Sequence, residues 1–191
     1  MKRLLIVGAG GHGHSVAEAV LAATEYELVG FLDDAAARVT SIWGRPVLGP
    51  LCDAYEHREL AEAAIVAIGN NRLREEVHTR LRNAGFDLAT VVHPRAVVSP
   101  SAVTGEGCAI MAGAVIGTQA NLGDGVIVNC GAVVDHHCRV DDFAHVGANA
   151  TMAGGAVVGR GAWMQAGSAI GYGVRLVPGE VLEPAEGRSA R

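Results

Sequence analysis

The amino-acid sequence predicts two structural units of different kinds: an α/β domain over residues 1–93 and a solenoid of short β-strands over residues 94–191. Three observations predict this division. Charged residues are concentrated in the first half, since residues 1–92 hold 21 of the 35. A six-residue repeat of aliphatic side chains runs through the second half. Pro94 and Pro100 interrupt the chain between the two patterns.

The composition favours a thin, regular core. The chain has 191 residues, of which 26 are glycine and only eight are aromatic. Glycine is therefore about twice as frequent as its usual share of roughly 7%. No Gly-X-Y period is present, which excludes collagen, and the aliphatic content excludes disorder. We expect a core built from Ala, Val, Ile and Leu.

The net charge and the cysteines exclude several classes of protein. A net charge of −5 gives no basic surface for nucleic acid or for an anionic membrane. The four cysteines form no CxxC pair, which suits a reducing compartment. The apolar run at the start ends at Gly8, too early for a signal peptide, and no stretch is long enough to span a bilayer. We expect a cytoplasmic protein without membrane insertion.

The first half predicts strands alternating with helices, which implies a parallel sheet. The predicted strands are Leu4–Val7, Leu28–Leu32, Ala63–Ile68 and Thr90–Val92, and the predicted helices are Ser15–Ala23 and Leu73–Asn83. About 90 residues can form only half of a doubly wound fold. We therefore expect a Rossmann-like half-domain.

A glycine-rich segment joins the first predicted strand to the first predicted helix. Gly8–Gly13 reads GAGGHG, and Asp33 follows twenty residues after the last glycine. This pattern lets a backbone approach a phosphate at a helix N-terminus. A dinucleotide cofactor and a turn without a ligand are both compatible with it. The short domain fits best the diphosphate of a single nucleotide, as in a nucleotide-sugar.

The second half carries an internal repeat of six residues. Every sixth residue from Ile110 to Leu176 is aliphatic or Met, and the residue four later is small or Val from Ala114 to Val174. Neither a helical nor an alternating period fits this spacing. Six residues per side and three sides per turn predict a triangular prism, with about four coils over residues 98–177.

Three histidines are the polar features of the solenoid. His136, His137 and His145 all fall at outward positions of the repeat. Gly154 lies eighteen residues after His136, which stacks the two roughly 5 Å apart on neighbouring coils. An imidazole beside a backbone N–H can serve as a base next to an oxyanion donor. A surface imidazole without a role is the plainer interpretation.

Metal and thiol chemistry are the remaining alternatives for this half. The γ-class carbonic anhydrases hold zinc with three histidines on such a solenoid. Here His136 and His145 lie half a coil apart, so a metal would need a subunit interface to gather them, and no metal is expected. Cys130 and Cys138 are interpreted as packing residues rather than as nucleophiles.

Several motifs in order carry a resemblance that covers nearly the whole chain. They are Gly8–Gly13, Phe31–Asp34, Ala67–Asn71, Val92–Pro94, Asn129–His136 and Phe143–Val146. Together they resemble the hexapeptide-repeat transferases of the sugar O-acyltransferase and sialic acid acetyltransferase family. Members of this family include bacterial N-acetyltransferases that act on nucleotide-linked 4-amino-sugars. The resemblance implies an α/β half-domain followed by a left-handed parallel β-helix, homotrimers with sites between prisms, and acetyl-CoA as co-substrate.

The resemblance also implies roles for individual residues. His136 is the implied general base, and Gly154 supplies the oxyanion N–H. The implied contacts of acetyl-CoA are His145 and Ala166. Asn129 is expected near the reacting group of the sugar. The nucleotide is expected on Gly10, Gly11, His12, Asp33, Asp34, Gly69 and Asn70.

Two departures from the family pattern stand out. His137 occupies the position where the family usually has an acid, and Asp135, Asp141 and Asp142 are the candidates to replace that acid. The repeat also fades after Val177-Pro178-Gly179, in a region that commonly helps to enclose CoA. Three functions stay open: sugar N-acetylation, O-acetylation of a sialic acid-like sugar, and binding of a nucleotide-sugar by a non-catalytic trimer. The nucleotide base is undetermined.

Overall fold

The computed structural model describes residues 1–190, and its first unit is a six-stranded sheet with a helix on each face. In chain order the elements are β1 (Lys2–Val7), α1 (Gly11–Ala23), β2 (Tyr26–Leu32), β3 (Ser41–Ile42), β4 (Arg45–Gly49), a 3₁₀ helix (Leu51–His57), β5 (Ala63–Val66), α2 (Asn71–Asn83) and β6 (Asp87–Leu88). The strand order is β3-β4-β2-β1-β5-β6. Only the β3–β4 pair is antiparallel.

The centre of this sheet is apolar because helices cover both of its faces. β1 is buried from Leu4 to Val7, and β5 is buried throughout. Strands covered on both faces have no polar side to present, so they form continuous apolar runs rather than alternating ones. These two runs are the segments that the sequence predicts most directly.

The α/β unit differs from the prediction at its edges. The strand predicted at Thr90–Val92 does not belong to this sheet, because Val91–Val92 pairs with Ala109–Ile110 of the solenoid. The last strand of the sheet is β6, which the sequence analysis missed together with β3 and β4. These strands are short or contain Pro46, so they carry little of the strand signal.

The second unit is a prism of seventeen two-residue strands in three parallel sheets. The first face contains Val91–Val92, Ala109–Ile110, Ile127–Val128, His145–Val146, Trp163–Met164 and Val181–Leu182. The second face contains Val97–Val98, Val115–Ile116, Val133–Val134, Thr151–Met152, Ala169–Ile170 and Gly187–Arg188. The third face contains Val103–Thr104, Asn121–Leu122, Arg139–Val140, Val157–Val158 and Arg175–Leu176. Partners in each ladder are eighteen residues apart, as the repeat predicts.

The interior of the prism consists of the two periodic columns. All twelve aliphatic or Met positions from Ile110 to Leu176 are buried, and the small positions from Ala114 to Ser168 are buried with them. Three corners connect the faces. The first corner, between the first and second faces, holds Asn129 and Ala166, and the second corner, between the second and third faces, holds His136 and Gly154.

The C-terminal segment continues the prism, although the sequence repeat fades there. The coils continue after Pro178 through Val181–Leu182 to Gly187–Arg188. Leu182 is fully buried in the prism, and the Ala185 N–H donates to the Ala166 carbonyl at 3.0 Å. These last coils form although their side chains match the repeat only weakly, because the coil below provides hydrogen-bond partners for their backbone.

The α/β unit packs against the first face of the prism. Val16, Ala17 and Val20 of α1 share one apolar cluster with Ala109 and Ile127 of the first face. The predicted fold class, a Rossmann-like half-domain followed by a left-handed parallel β-helix, is confirmed. Across residues 1–190 the structure contains no helix long and apolar enough to cross a membrane.

Candidate active site

A cavity of about 340 Å³ opens at the carboxyl ends of β1, β2 and β5. Its lining includes Gly10, Gly11, His12, Asp33, Asp34 and Gly69, which are six of the seven residues predicted to hold a nucleotide. Parallel α/β sheets place ligand sites at this edge, where the strands end and the helices begin.

The glycines of the GAGGHG segment divide into two kinds. A side chain at Gly8 or Gly13 would collide with backbone, since a methyl group on Gly8 would lie 2.7 Å from the Ala67 carbonyl oxygen. These glycines let α1 pack tightly against the strands. In contrast, Gly10, Gly11 and Gly69 have open space where a side chain would be. Packing therefore does not require glycine at these three positions, and their backbone faces the cavity.

The first turn of α1 is free to receive an anion. Its N-cap, Gly10, provides no side-chain acceptor, and the first turn contains no acidic residue. The first N–H groups of a helix lack partners within the helix and carry the positive end of its dipole. A phosphate group placed in the cavity would accept hydrogen bonds from these N–H groups.

The two aspartates of the cavity hold its loops. Asp33 accepts hydrogen bonds from the Ala9 N–H at 2.6 Å and the Ala35 N–H at 2.8 Å. Asp34 accepts from the Leu51 N–H at 3.0 Å. A carboxylate has about four lone-pair sites, and both residues line the cavity, so a shaping role and a ligand contact are compatible.

Asn70, the seventh predicted nucleotide residue, begins α2. Its side-chain oxygen accepts from the Leu73 N–H at 3.0 Å, which makes it the N-cap. Asn70 also borders a second cavity of about 590 Å³ between the α2 N-terminus and the first face, where Trp163 and Val181 form the opposite wall. Gly69 lines both cavities.

His145 lies in a buried cluster rather than on an open surface. It points out of the prism as predicted, but the α/β unit covers it and leaves 7% of it exposed. Its ring stacks on Trp163 at 5.6 Å between centroids and 14° between planes. Burial lowers the pKa of His145 to about 3, with smaller contributions from Arg74 and His12. His145 is therefore a neutral imidazole.

Arg74 is the centre of this cluster and was missed by the sequence analysis. It is 1% exposed and donates to the carbonyl oxygens of Gly125 at 2.8 Å, Phe143 at 2.6 Å and Ile68 at 3.0 Å. These bonds join α2 to two coils of the prism. Burial, and secondarily Arg74, lowers the pKa of His12 to about 4. In the sequence, the role of Arg74 was indicated only by its position as a charged residue on the helix face that packs inward.

The second corner brings His136 against Gly154. A methyl group on Gly154 would lie 2.5 Å from His136 Nε2, so only glycine leaves room for the ring. The Gly155 N–H is used, because it donates to the His136 carbonyl at 3.0 Å, whereas the Gly154 N–H makes no backbone hydrogen bond within residues 1–190. An unused donor thus lies beside an imidazole nitrogen.

The surroundings of His136 explain how its ring is held. Nδ1 lies 3.0 Å from His137 Nδ1, while Asp135 Oδ2 is 3.8 Å from Nε2, beyond hydrogen-bond range. Tyr172, which the sequence analysis missed, lies across Gly154 with its ring centroid 6.3 Å from that of His136. Nearly half of the His136 side chain remains exposed.

The other residues proposed for acid or thiol chemistry lie elsewhere. Asp141 pairs with Arg139 at 2.9 Å, and Asp142 pairs with Arg160 at 2.5 Å, so neither reaches His136 within the chain. Cys138 is buried as predicted, and burial raises the pKa of its thiol. Cys130 is exposed, which makes its interpretation as a packing residue wrong.

Asn129 and Ala166 lie together on the first corner, on the other side of the second face from His136. The Asn129 side-chain oxygen accepts from the Cys130 N–H at 2.8 Å. Ala166 is two coils further along the same corner and exposed. One chain therefore carries two half-sites on two corners. Within residues 1–190, no group of three His, Cys, Asp or Glu side chains could hold a metal ion.

These features define a class of protein. A prism of hexapeptide coils with an imidazole beside a backbone donor, preceded by an α/β unit whose cavity opens at a helix N-terminus, is the architecture of a hexapeptide-repeat acyltransferase.

Comparison with known proteins identifies the family. Residues 3–81 match the model of the PglD N-terminal domain. The UDP-N-acetylbacillosamine N-acetyltransferase of Bacillus subtilis (strain 168) is 39% identical over 115 residues, which are 59% of this chain and 52% of that protein. The match thus spans about half the length of the curated relative.

Solved structures are similar over nearly the full length. A variant of the GDP-perosamine N-acetyltransferase of Caulobacter crescentus, in complex with CoA and GDP-perosamine, is 36% identical with a TM-score of 0.86, over 98% of this chain and 91% of that one. The acetyltransferase domain of PglB from Neisseria gonorrhoeae FA1090, in complex with acetyl coenzyme A, is 35% identical with a TM-score of 0.79, over 99% and 96%. The chain belongs to this family of nucleotide-amino-sugar N-acetyltransferases.

Proposed function

We propose that the chain transfers an acetyl group from acetyl-CoA to the amine of a nucleotide-linked 4-amino-sugar. The observation that carries this proposal is the His136 imidazole packed on Gly154 at an open corner of the prism. The relatives named above support nitrogen as the acceptor, since two of the three are named as N-acetyltransferases.

In this mechanism His136 is the general base. Its Nε2 takes a proton from the sugar amine while the amine nitrogen attacks the thioester carbonyl carbon. The carbonyl oxygen becomes negative and accepts a hydrogen bond from the Gly154 N–H. The C–S bond then breaks, and the proton passes from His136 to the CoA sulfur. A rigid prism that holds both reactants supplies much of the rate by positioning.

The nucleotide part of the substrate is proposed for the α/β cavity. Its diphosphate would lie at the N-terminus of α1, over the bare backbone of Gly10 and Gly11. Asp33 and Asp34 would offer acceptors to hydroxyl groups of the nucleoside. His12 would contribute as a neutral group, because its pKa is lowered to about 4.

A homotrimer is proposed because the two half-sites flank one uncharged face. The outward side chains of the second face are Val97, Val115, Val133, Thr151 and Ala169. The first face is covered by the α/β unit, and the third face exposes Arg139 and Arg175. A closed ring with the second face toward its axis brings the second corner of each chain to the first corner of the next.

This arrangement would unite His136 and Gly154 of one chain with Asn129 and Ala166 of its neighbour. Acetyl-CoA is proposed to lie between those two corners. His145 is proposed to contact acetyl-CoA, although only 7% of it is exposed and Trp163 stacks on its ring. The four free cysteines and the use of acetyl-CoA support a cytoplasmic reaction.

The test is CoA release with UDP-, GDP- and dTDP-linked 4-amino-sugars and with a free sialic acid. We expect turnover with at least one nucleotide-linked amine. Turnover only with the sialic acid would favour O-acetylation, and tight nucleotide-sugar binding without any turnover would favour the non-catalytic alternative. His136→Ala is expected to abolish turnover and keep nucleotide-sugar binding, and full activity in that variant would remove His136 from the mechanism.

Mixed trimers test the shared site. Asn129→Ala and His136→Ala chains, each expected to be inactive alone, are unfolded and refolded together. If each site takes one residue from each of two neighbours, about a quarter of the sites in random mixtures regain both residues. Absence of recovery would contradict a site built from two chains.

A further inference from the structure

His137 occupies a backbone position that favours glycine. Its φ is +58°, in the left-handed region. The same corner position of the next two coils is filled by Gly155 and Gly173, with φ of +68° and +67°. A residue with a Cβ is disfavoured in this conformation, although His tolerates it better than most residues. Gln119, one coil below, has a φ of +55°, so this corner accepts side chains, and the role of His137 depends on the contact that its ring makes.

The side chain of His137 makes one defined contact. Its Nδ1 lies 3.0 Å from His136 Nδ1, and the two rings meet edge to face at 86°. A short distance between two ring nitrogens accommodates a single proton, because two N–H groups pointing at each other would repel. One ring must donate and the other must accept.

In the part of the chain that the structure describes, His137 is the one hydrogen-bond partner of His136 Nδ1. Asp135 approaches Nε2 at 3.8 Å, and its Oδ1 accepts the His136 backbone N–H at 2.7 Å. Tyr172 and Gly154 face the ring from the coils above. The backbone N–H of His137 is held by the Thr118 carbonyl at 2.8 Å, which fixes the turn that presents the second ring.

We propose that His137 is a positioning residue that accepts the Nδ1–H of His136 as a neutral imidazole. This hydrogen bond selects the tautomer of His136 whose Nε2 lone pair is free beside the Gly154 N–H. The inference rests on the proposed function for its catalytic consequence. In the reaction His136 Nε2 gains the amine proton and later gives it to the CoA sulfur, while His137 accepts a hydrogen bond throughout and exchanges no proton.

A neutral imidazole at His136 Nδ1 affects the reaction differently from a carboxylate at the same place. It fixes the tautomer but stabilises the imidazolium of His136 less than a negative charge would. Replacing His137 with an acid should therefore move the acid limb of the pH profile for kcat/KM to higher pH. Removing the acceptor should move that limb to lower pH and reduce the rate on the plateau.

Matched variants separate the acceptor from the backbone. His137→Gly suits the left-handed turn and removes the acceptor, whereas His137→Asn suits the turn and restores an acceptor. Gln119→Gly is the control, because Gln119 lies at the same corner one coil below with φ of +55°. We expect about a tenfold loss of kcat in His137→Gly with unchanged KM for both substrates. We expect partial recovery in His137→Asn, a raised acid limb in His137→Glu and no change in Gln119→Gly.

The tautomer itself is measured by nitrogen-15 NMR of histidine-labelled protein, which needs no turnover. We expect the wild-type His136 to carry its proton on Nδ1 and His137→Gly to shift toward Nε2–H. Wild-type His136 protonated on Nε2, or unchanged kcat in His137→Gly, would overturn the proposal. If no substrate is turned over, the proposed function fails, and the tautomer still decides the role of His137.

Discussion

Replacing Gly154 with Ala tests the contact on which the proposed chemistry depends. The backbone at Gly154 is not in the left-handed region, so Ala is compatible with its conformation, and the N–H remains available. The added methyl group would lie 2.5 Å from His136 Nε2. To restore an ordinary contact of about 3.4 Å, the imidazole has to move by about 1 Å.

The size of the effect follows from that displacement. A 1 Å misplacement of a catalytic group can cost about 100-fold in rate, equivalent to about 2.7 kcal/mol of transition-state stabilisation. The ring can swing outward because nearly half of the His136 side chain is exposed. We therefore expect kcat to fall about 100-fold while the free energy of unfolding changes by less than about 1 kcal/mol.

The assay is CoA release under saturating substrates, with urea unfolding at fixed protein concentration as the measure of stability. Gly155→Ala is the matched control. Its φ of +68° disfavours Ala, but nothing lies within 4 Å of the new methyl group. We expect this control to lose roughly 1 kcal/mol of stability and to keep its kcat. Activity of Gly154→Ala within threefold of wild type would refute the argument that the ring is confined by the glycine.

Two further predictions concern the buried cluster between the α/β unit and the prism. Arg74→Met should lower the free energy of unfolding by about 3 kcal/mol or more, because it leaves several buried carbonyl groups without a donor. Arg72→Met is the control on the same helix, because Arg72 makes an exposed ion pair with Glu76. It should change the free energy of unfolding by less than about 0.5 kcal/mol. Equal losses of stability for the two variants in urea unfolding would contradict the role of Arg74. Because burial lowers the pKa values of His12 and His145 to about 4 and about 3, the unfolded chain binds more protons than the folded one below about pH 6.5. Stability should thus fall as the pH drops from 6.5 toward 4, by up to about 1.4 kcal/mol per pH unit for each histidine. His145→Phe keeps a ring on Trp163 and should reduce the pH dependence of the unfolding free energy by the contribution of one histidine. If the slope of unfolding free energy against pH is unchanged, His145 is not the group involved.

The repeat and the glycine segment were readable from the sequence because both are local patterns. The prism interior follows from a fixed period, so Ile110 and each position six residues further could be assigned before the structure. The regular coils after residue 177 were not counted, because only Leu182 keeps the pattern clearly and backbone ladders stabilise the rest.

The site was predictable in part. Spacing by eighteen residues placed Gly154 beside His136, and the contact is present. The roles assigned to the individual residues stay predictions. The burial of His145 could not be foreseen, because its cover comes from α2 and the Gly69 loop, some seventy residues earlier in the chain.

The sequence by itself determined the two units, the period of the coils and the candidate residues, because short-range spacing dictates which side chains face inward. Only the tertiary structure decided that Arg74 joins the units, that the α/β unit covers His145, and that His137 faces Nδ1 of His136. Those facts depend on contacts between distant segments and on ring orientation. Neither leaves a periodic trace in the order of residues.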